Sequence, residues 1–486
     1  MKQSQSQDRV LESANALGMS TASALLQDLA DVEAPPALKA PVNDEALVHR
    51  EFLDAEFWRR IPAFRRVAKA EFCDHRFQIR HSVQTIEQLQ ELIAPLVPRA
   101  FLEDVGAGLR QAPMNLRISP YLLSLIDWDN PYDDPIRIQF IPAASRRLAD
   151  HPRLSFDSLN EQQDAPTPNL VHRYHDKALF LPLDVCPVYC RFCTRSYSIG
   201  PEAGHDKLAA FRASMKEWQP AFAYLASRPE IEDVVISGGD TYNLSATRLR
   251  LIGETLLGIP HIRRLRFASK GPAVMPMKIL SDSAWTDTLL DLVDMGRQLG
   301  KEVALHTHFN SVNEITDITR AAMHKLFQGG MTVRNQSVLI RGVNDEADAM
   351  VRLVRQLSYM NVQPYYVYQH DMVKGVEELR TRVQTAVELE RQVRGSTAGF
   401  NTPTFVTDVP GGGGKRDVHS YDYYDELTGV SVYRSPAVDP DKVYLYFDPI
   451  HLLPEAGRRR WAEPREHERI VQEAVEAAGL SALQPA

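Results

Sequence analysis

Three of the chain's four cysteines, Cys186, Cys190 and Cys193, fall within eight residues in LDVCPVYCRFCTRSY at the spacing C-x3-C-x2-C. Such crowding excludes a disulfide framework, and three thiolates in one loop can share a metal centre. A zinc site needs a fourth ligand, for which His172 or His175 could serve, but the paired C-x2-C elements of structural zinc are missing. A thioredoxin-like pair of Cys190 and Cys193 leaves Cys186 without a purpose. Thiols that merely pack have no reason to gather at metal spacing in a loop. The reading that uses all three is a 4Fe-4S cluster with three protein ligands and one open iron, a site for an exogenous ligand. Cys73 stands alone in a helical stretch and reads as a packing residue.

The second candidate for chemistry is DVPGGGGKRDV, where Gly411 to Gly414 precede Lys415. A phosphate-binding loop of the form G-x-x-x-x-G-K-[ST] fails twice, because Val409 stands where glycine is required and Arg416 follows the lysine. A flexible linker is the bland alternative, yet the glycines follow the strand-like PTFVTDV and lead into a single lysine with no serine-rich continuation. The functional reading is a lysine on a mobile loop, able to approach a planar cofactor and swing away when substrate replaces it. Pyridoxal phosphate held as a Schiff base requires that behaviour.

The elements that must carry these groups follow from periodicity. Apolar runs recur at ALFLPLDV, DVVISGG, RRLRFAS, EVALHTH, VRNQSVLI, QPYYVYQ and TFVTDV, and amphipathic segments such as ATRLRLIGETLLG and EADAMVRLVRQLSYM lie between them. This alternation predicts parallel βα units, an α/β partial (β/α) barrel rather than a nucleotide fold, since no G-x-G-x-x-G follows the first strand. Chemistry in such folds gathers at the carboxyl ends of the strands, where Ser237 to Asp240, Ser269 with Lys270, His306 with His308, Asp371 and Asp408 lie. Residues 1–45 read as a flexible N-terminal segment, 46–164 as a mostly helical region, 165–435 as the barrel, and 436–486 as a short C-terminal extension whose arginine triplet sits on a surface helix. With 55 basic against 63 acidic residues in 486, the net charge of −8 disfavours a dedicated nucleic-acid binder. No apolar run is long enough to span a membrane, and the opening MKQSQSQDRV lacks the order of a secretory signal, so a cytoplasmic protein is expected.

The cysteine loop, with Phe192 before its last cysteine, resembles that of the radical S-adenosylmethionine superfamily. The resemblance implies that the open iron chelates S-adenosylmethionine and that one electron, from a donor such as flavodoxin or ferredoxin, cleaves it to a 5′-deoxyadenosyl radical. Together with the glycine run, the motifs HRYHDK, ISGGD, THFN, NQSVLIRGVND, QPYYVYQHD and PTFVTDVPGGGGK, spread over roughly residues 165 to 435, are similar to those of the lysine 2,3-aminomutase family. Carried over position by position, the resemblance makes Lys415 the pyridoxal lysine. Arg173, Tyr174 and Lys177 become phosphate contacts, and Tyr368 lies near the cofactor. Gly238, Gly239 and Asp240 meet the methionine amine, while His308 and Gln336 line the S-adenosylmethionine pocket. Arg195 pairs with the substrate carboxylate, and Asp371 and Asp408 receive the distal cation, an acidic pair that the glutamate-specific relatives lack.

The implied reaction moves the α-amino group of L-lysine to the β-carbon by a radical and pyridoxal aldimine route, giving L-β-lysine. Arginine 2,3-aminomutase is the alternative, because a guanidinium also suits two carboxylates and because His370 stands beside Asp371 where lysine enzymes often carry cysteine. A radical enzyme acting on protein or tRNA without pyridoxal is the more distant one. No cysteine follows Cys193, so a homo-oligomer without bridging zinc is expected, with the N-terminal region contributing to association.

Overall fold

A computed structural model describes residues 44–200 and 213–485, with Leu29 and Val32. The chain divides into two compact units, Met1–Val48 and His49–Ala486. The expected flexible segment 1–45 lies almost wholly outside the described residues. Both sheets belong to the second unit.

Nine strands form one sheet in chain order: β1 (Leu170–Tyr174), β2 (Lys177–Phe180), β3 (Asp233–Ile236), β4 (Arg264–Ala268), β5 (Glu302–Thr307), β6 (Thr332–Val338), β7 (Val362–Tyr368), β8 (Thr404–Val409) and β9 (Gly414–Asp417). Strands β2 to β8 pair in parallel, each with its sequence neighbour. Crossovers of one hand between adjacent strands curl such a sheet instead of winding it both ways, which makes this a partial (β/α) barrel. Each of the seven apolar runs overlaps one of β2 to β8. The amphipathic segments between them form the helices Ala246–Leu257, Ser283–Gln298, Asp317–Gln328 and Ala347–Tyr359.

The two edges are antiparallel hairpins that periodicity does not reveal, because each strand is short and half polar. HRYHDK supplies the β1–β2 turn, and the glycine run supplies the β8–β9 turn. The edges meet through side chains: the Tyr174 hydroxyl accepts the Lys415 backbone N–H at 2.8 Å, and the Arg173 guanidinium lies 3.8 Å from Asp408.

Before the barrel, helices Ile86–Ile93 and Arg99–Gln111 form where expected, the first with a reciprocal Thr85/Gln88 capping box. The stretch 45–61 does not make the continuous helix its pattern suggests. It breaks into 3-10 turns, and its adjacent Phe57 and Trp58 are both buried, packing on Phe72 and Tyr121. After β9, β10 (Tyr423–Asp425) and β11 (Val430–Ser435), within the bounds expected for the barrel, and β12 (Asp439–Phe447) and β13 (Gln484–Pro485), in the expected extension, build a second sheet that the sequence does not foretell. The arginine triplet lies on helix Glu455–Trp461, where Arg458 and Arg459 are exposed and Arg460 pairs with Glu466 and Glu473.

Candidate active site

Every residue singled out above for the site lines one cavity of ≈ 510 Å³ inside the barrel. Cys186, Cys190 and Cys193 border it from the loop after β2, half-buried and free of disulfides. Burial first, then the charges of Asp240 and the neighbouring cysteines, pushes the Cys186 thiol well above its ordinary pKa. Among the described residues no three His, Cys, Asp or Glu side chains converge tightly enough for a single ion. That disfavours mononuclear zinc here, whereas a multi-iron cluster spreads its ligands around several metals.

Gly238 and Gly239 follow β3 and dock this loop. Gly238 has φ +84°, and a Cβ there would lie 2.3 Å from the Leu183 carbonyl oxygen; at Gly239 it would lie 2.5 Å from the Val185 backbone. The Gly239 N–H donates to Leu183 at 2.6 Å and the Asp240 N–H to Val185 at 3.1 Å. Glycine is required because backbone meets backbone. The Asp240 carboxylate accepts the Tyr242 and Lys270 N–H groups, both at 2.8 Å, and burial raises its pKa to about 6. Lys270 donates from Nζ to Glu314 at 2.9 Å and to the His308 carbonyl at 2.8 Å, a buried cation on the Cys190 side of the cavity.

Phe192 stacks on His308 with centroids 5.4 Å apart. Nε2 of His308 and Nε2 of His306 are buried without hydrogen-bond partners, and the Gln336 amide lies 3.2 Å from Nδ1 of His306. Desolvation lowers the His306 pKa to about 3, so this wall presents neutral rings.

The glycine run, expected as a loop, forms the turn between β8 and β9. Gly411, Gly412 and Gly414 all have positive φ, and a Cβ on Gly414 would meet the Tyr174 hydroxyl at 2.3 Å. The run lets the chain reverse and lie against β1, placing Lys415 on β9 directly opposite Asp408 on β8. Lys415 Nζ donates to Asp408 Oδ2 at 2.8 Å and lies 5.5 Å from the Tyr368 ring centre. Burial opposes the ammonium, but Asp408 outweighs it and holds the Lys415 pKa well above its ordinary value. Burial likewise works against the Asp408 charge, and Lys415 and Arg173 more than offset it.

Asp371 lies three residues beyond β7. Burial and then Asp408 raise its pKa strongly, and its Oδ1 is buried without a partner, as is Oδ1 of Asp408. His370 does not line the cavity: it is buried behind the loop, Nδ1 2.7 Å from the Asp371 carbonyl oxygen. The histidine that stands in place of cysteine therefore does not touch what the cavity holds.

Two arginines are already engaged. Arg173 donates from Nε to Asp164 at 2.8 Å and also to the Leu159 carbonyl. Arg195 donates from Nε and Nη2 to Glu161 at 2.9 and 2.7 Å, and Glu161 also accepts the Tyr197 hydroxyl at 2.8 Å. Lys177 lies 4.3 Å from the Tyr174 ring centre and pairs with Asp176 at 2.9 Å. Sequence reasoning missed Glu161, since a lone carboxylate in an irregular segment carries no periodic signal.

No family model matches the chain. It is similar to the L-lysine 2,3-aminomutase of Clostridium subterminale, 39% identical over 363 residues, 74% of this chain and 81% of that protein. The L-lysine 2,3-aminomutase of Bacillus subtilis is 35% identical over 358 residues, 74% and 71% of the two chains. A glutamate 2,3-aminomutase of Clostridioides difficile is 31% identical over 345 residues, 70% and 75%. No helix among the described residues is long and apolar enough to cross a membrane. The chain belongs to the lysine 2,3-aminomutase family, amino-acid 2,3-aminomutases of the isomerase class that work with a 4Fe-4S cluster, S-adenosylmethionine and pyridoxal 5′-phosphate.

Proposed function

We propose that the protein converts L-lysine to L-β-lysine. The observation that carries this reading is the pair of buried carboxyl groups, Asp371 and Asp408: among the described residues Oδ1 of each has no hydrogen-bond partner, that of Asp408 having only the Arg173 guanidinium 3.8 Å away. A buried carboxyl oxygen left without a hydrogen bond is costly, and a cationic side chain satisfies both at once. An anionic side chain such as glutamate's would be repelled there. A guanidinium meets the same two carboxylates, so arginine is the competing substrate.

The cavity suits the family's three cofactors. Three crowded thiols, of which Cys186 and Cys190 have their pKa values raised by burial, suit a cationic multi-iron centre that stabilises thiolate. The orphaned histidine nitrogens beside the Phe192 and His308 stack suit a nucleoside's polar edge and planar base. Lys415 near the Tyr368 ring, with Arg173, Tyr174 and Lys177 along the same cavity, suits a flat phosphorylated aldehyde. When bound, these groups supply hydrogen-abstracting radical chemistry and a π system that carries the migrating nitrogen.

The chain's own contribution is then positional. Cys186, Cys190 and Cys193 hold the cluster, and Gly238, Gly239 and Asp240 set the loop that carries them. Oδ2 of Asp408 accepts a hydrogen bond from Lys415 Nζ and so orients it, and Nζ must lose a proton to solvent before it can act as a nucleophile. Arg195 takes the substrate carboxylate, and Asp371 with Asp408 takes the distal ammonium, so the substrate is fixed at both ends. Val188, Phe192 and Val338 close the wall against water. A low-potential donor such as flavodoxin or ferredoxin, a homo-oligomer without bridging zinc and a cytoplasmic location complete the reading. Anaerobic assay of the reconstituted enzyme with lysine, arginine and ornithine in parallel tests it. β-Lysine as the main product is expected. β-Arginine in its place overturns the substrate, and S-adenosylmethionine cleavage without any isomerised amino acid overturns the reading as a whole.

A further inference from the structure

Between the N-terminal helices and β1, residues 157–164 form no regular element, yet they reach the turn before Lys415, Arg173 and Arg195. Ser158 gives its carbonyl to the Gly411 N–H at 3.1 Å. Leu159 gives its carbonyl, and Asp164 its carboxylate, to Arg173. Glu161 gives both carboxylate oxygens to Arg195. The backbone at this last position is itself pinned, because the Asp157 carboxylate accepts the N–H groups of Glu161 at 2.9 Å and Gln162 at 3.0 Å.

A guanidinium offers two bidentate edges to carboxylates, the side edge of Nε with one Nη and the end edge of the two Nη atoms. Glu161 occupies the side edge of Arg195. Its side chain is 5% exposed against 19% for Arg195, so the clamp is buried while part of the guanidinium faces the cavity. The Tyr197 hydroxyl, donating to Oε2, keeps the carboxylate from rotating. Among the described residues Nη1 has no hydrogen-bond acceptor, which leaves the end edge for a ligand.

We propose that Glu161 is the positioning residue for Arg195, holding its side edge so that the substrate carboxylate binds only end-on, at a fixed distance from the turn that carries Lys415. A free arginine side chain would lose several rotamers on binding; one held beforehand has already lost them. The segment 157–164 thereby ties the carboxylate site and the Lys415 turn to one piece of backbone. The inference rests on Arg195 being the carboxylate's partner.

The test is equilibrium binding to oxidised holoenzyme, which holds substrate without turnover, read from the change in bound pyridoxal absorbance. The ligands are L-lysine and 1,5-diaminopentane, which keeps both amines and lacks the carboxylate. Glu161→Gln keeps the shape but can accept only one of the two arginine hydrogen bonds. It is expected to weaken lysine about tenfold while leaving the diamine and the iron content unchanged. Glu161→Asp, which keeps the charge, should recover part of the loss. Equal weakening of both ligands, or of neither, overturns the proposal. Arg195→Gln separates the two readings: if it leaves the lysine-to-diamine ratio unchanged, the carboxylate assignment of Arg195 has failed. If it collapses the ratio while Glu161→Gln does not, only the positioning role has failed. Should Glu161→Gln not retain iron, Tyr197→Phe loosens the same carboxylate without changing charge. It is expected to lower the ratio about threefold, and an unchanged ratio overturns the proposal.

Discussion

Lys415 and Asp408 face each other directly across the β8–β9 pair, Nζ 2.8 Å from Oδ2. In the role proposed for Lys415, pyridoxal would take up Nζ and withdraw it from Asp408, which would keep Arg173, 3.8 Å away, as its counter-charge beside Asp371. Replacing Lys415 with Ala is expected to abolish the absorbance of protein-bound pyridoxal and reduce turnover to background, with iron content unchanged. Persistence of that absorbance in the variant would remove Lys415 from its role.

The two aspartates should separate by what each touches. Asp371→Asn removes a carboxylate with no protein partner, so the expected effect is a rise in KM for the cationic substrate on the order of 30-fold, with pyridoxal loading intact. Asp408→Asn removes the partner of both Lys415 and Arg173, so loading should fall as well as affinity. Absorbance titration of each variant, followed by steady-state assay, distinguishes the two. Loading lost equally in both would contradict the division of labour.

How much of this was legible without coordinates depended on whether a residue sat in a pattern. The seven central strands and the helices between them announce themselves, since both faces of a parallel sheet are covered and the runs are apolar. The cysteine loop is legible because its spacing is a ligand spacing. The close packing at Gly411 to Gly414 was not: glycine allows both mobility and tight reversal, and the approach of the Tyr174 hydroxyl to Gly414 is a contact no local pattern encodes. Glu161 was invisible because its importance lies in a partner far away in sequence, Arg195, which no local period encodes; the outer strands β1 and β9 and the second sheet escaped because their strands are short or mix polar with apolar residues.

The glycines after β3 give a stability prediction tied to the metal. Gly238→Ala places a side chain at φ +84° and within 2.3 Å of the Leu183 carbonyl oxygen. Strain of this kind costs about 1–3 kcal/mol, and the loop leading to Cys186 is what must move to relieve it. Reconstitution should yield less iron per chain and a lower melting temperature than in the parent protein. A variant with full iron and an unchanged melting temperature would show that the loop tolerates the shift.

Cysteine replacements divide on the same measurement. Cys186→Ala, Cys190→Ala and Cys193→Ala should each lose most of the iron, because three protein ligands leave no spare. Cys73 packs half-buried against the core of the helical region, so Cys73→Ala should retain full iron while losing some thermal stability. Iron analysis and electron paramagnetic resonance of the reduced proteins report both. Loss of iron in the Cys73 variant would overturn the assignment of ligands.

Substrate binding should also move a proton, and its sign follows from Asp371. Burial first, then the negative charge of Asp408, raises the Asp371 pKa well above the ordinary carboxylate value, while Lys415 is the neighbour that lowers it most. A carboxyl with a raised pKa holds its proton in the free protein to higher pH than usual. A bound ammonium favours the ionised form, so binding drives the proton off. Affinity for a cationic substrate is therefore expected to increase with pH through the Asp371 titration, with protons released to solvent in the same window. Calorimetry in two buffers of different ionisation enthalpy measures that release directly. It should be present in the parent protein, absent in Asp371→Asn, and absent for an analogue whose side chain is uncharged. Proton uptake in place of release would mean that Asp371 is already ionised before the substrate arrives, and the acidic pair would then select its cation without a protonation step.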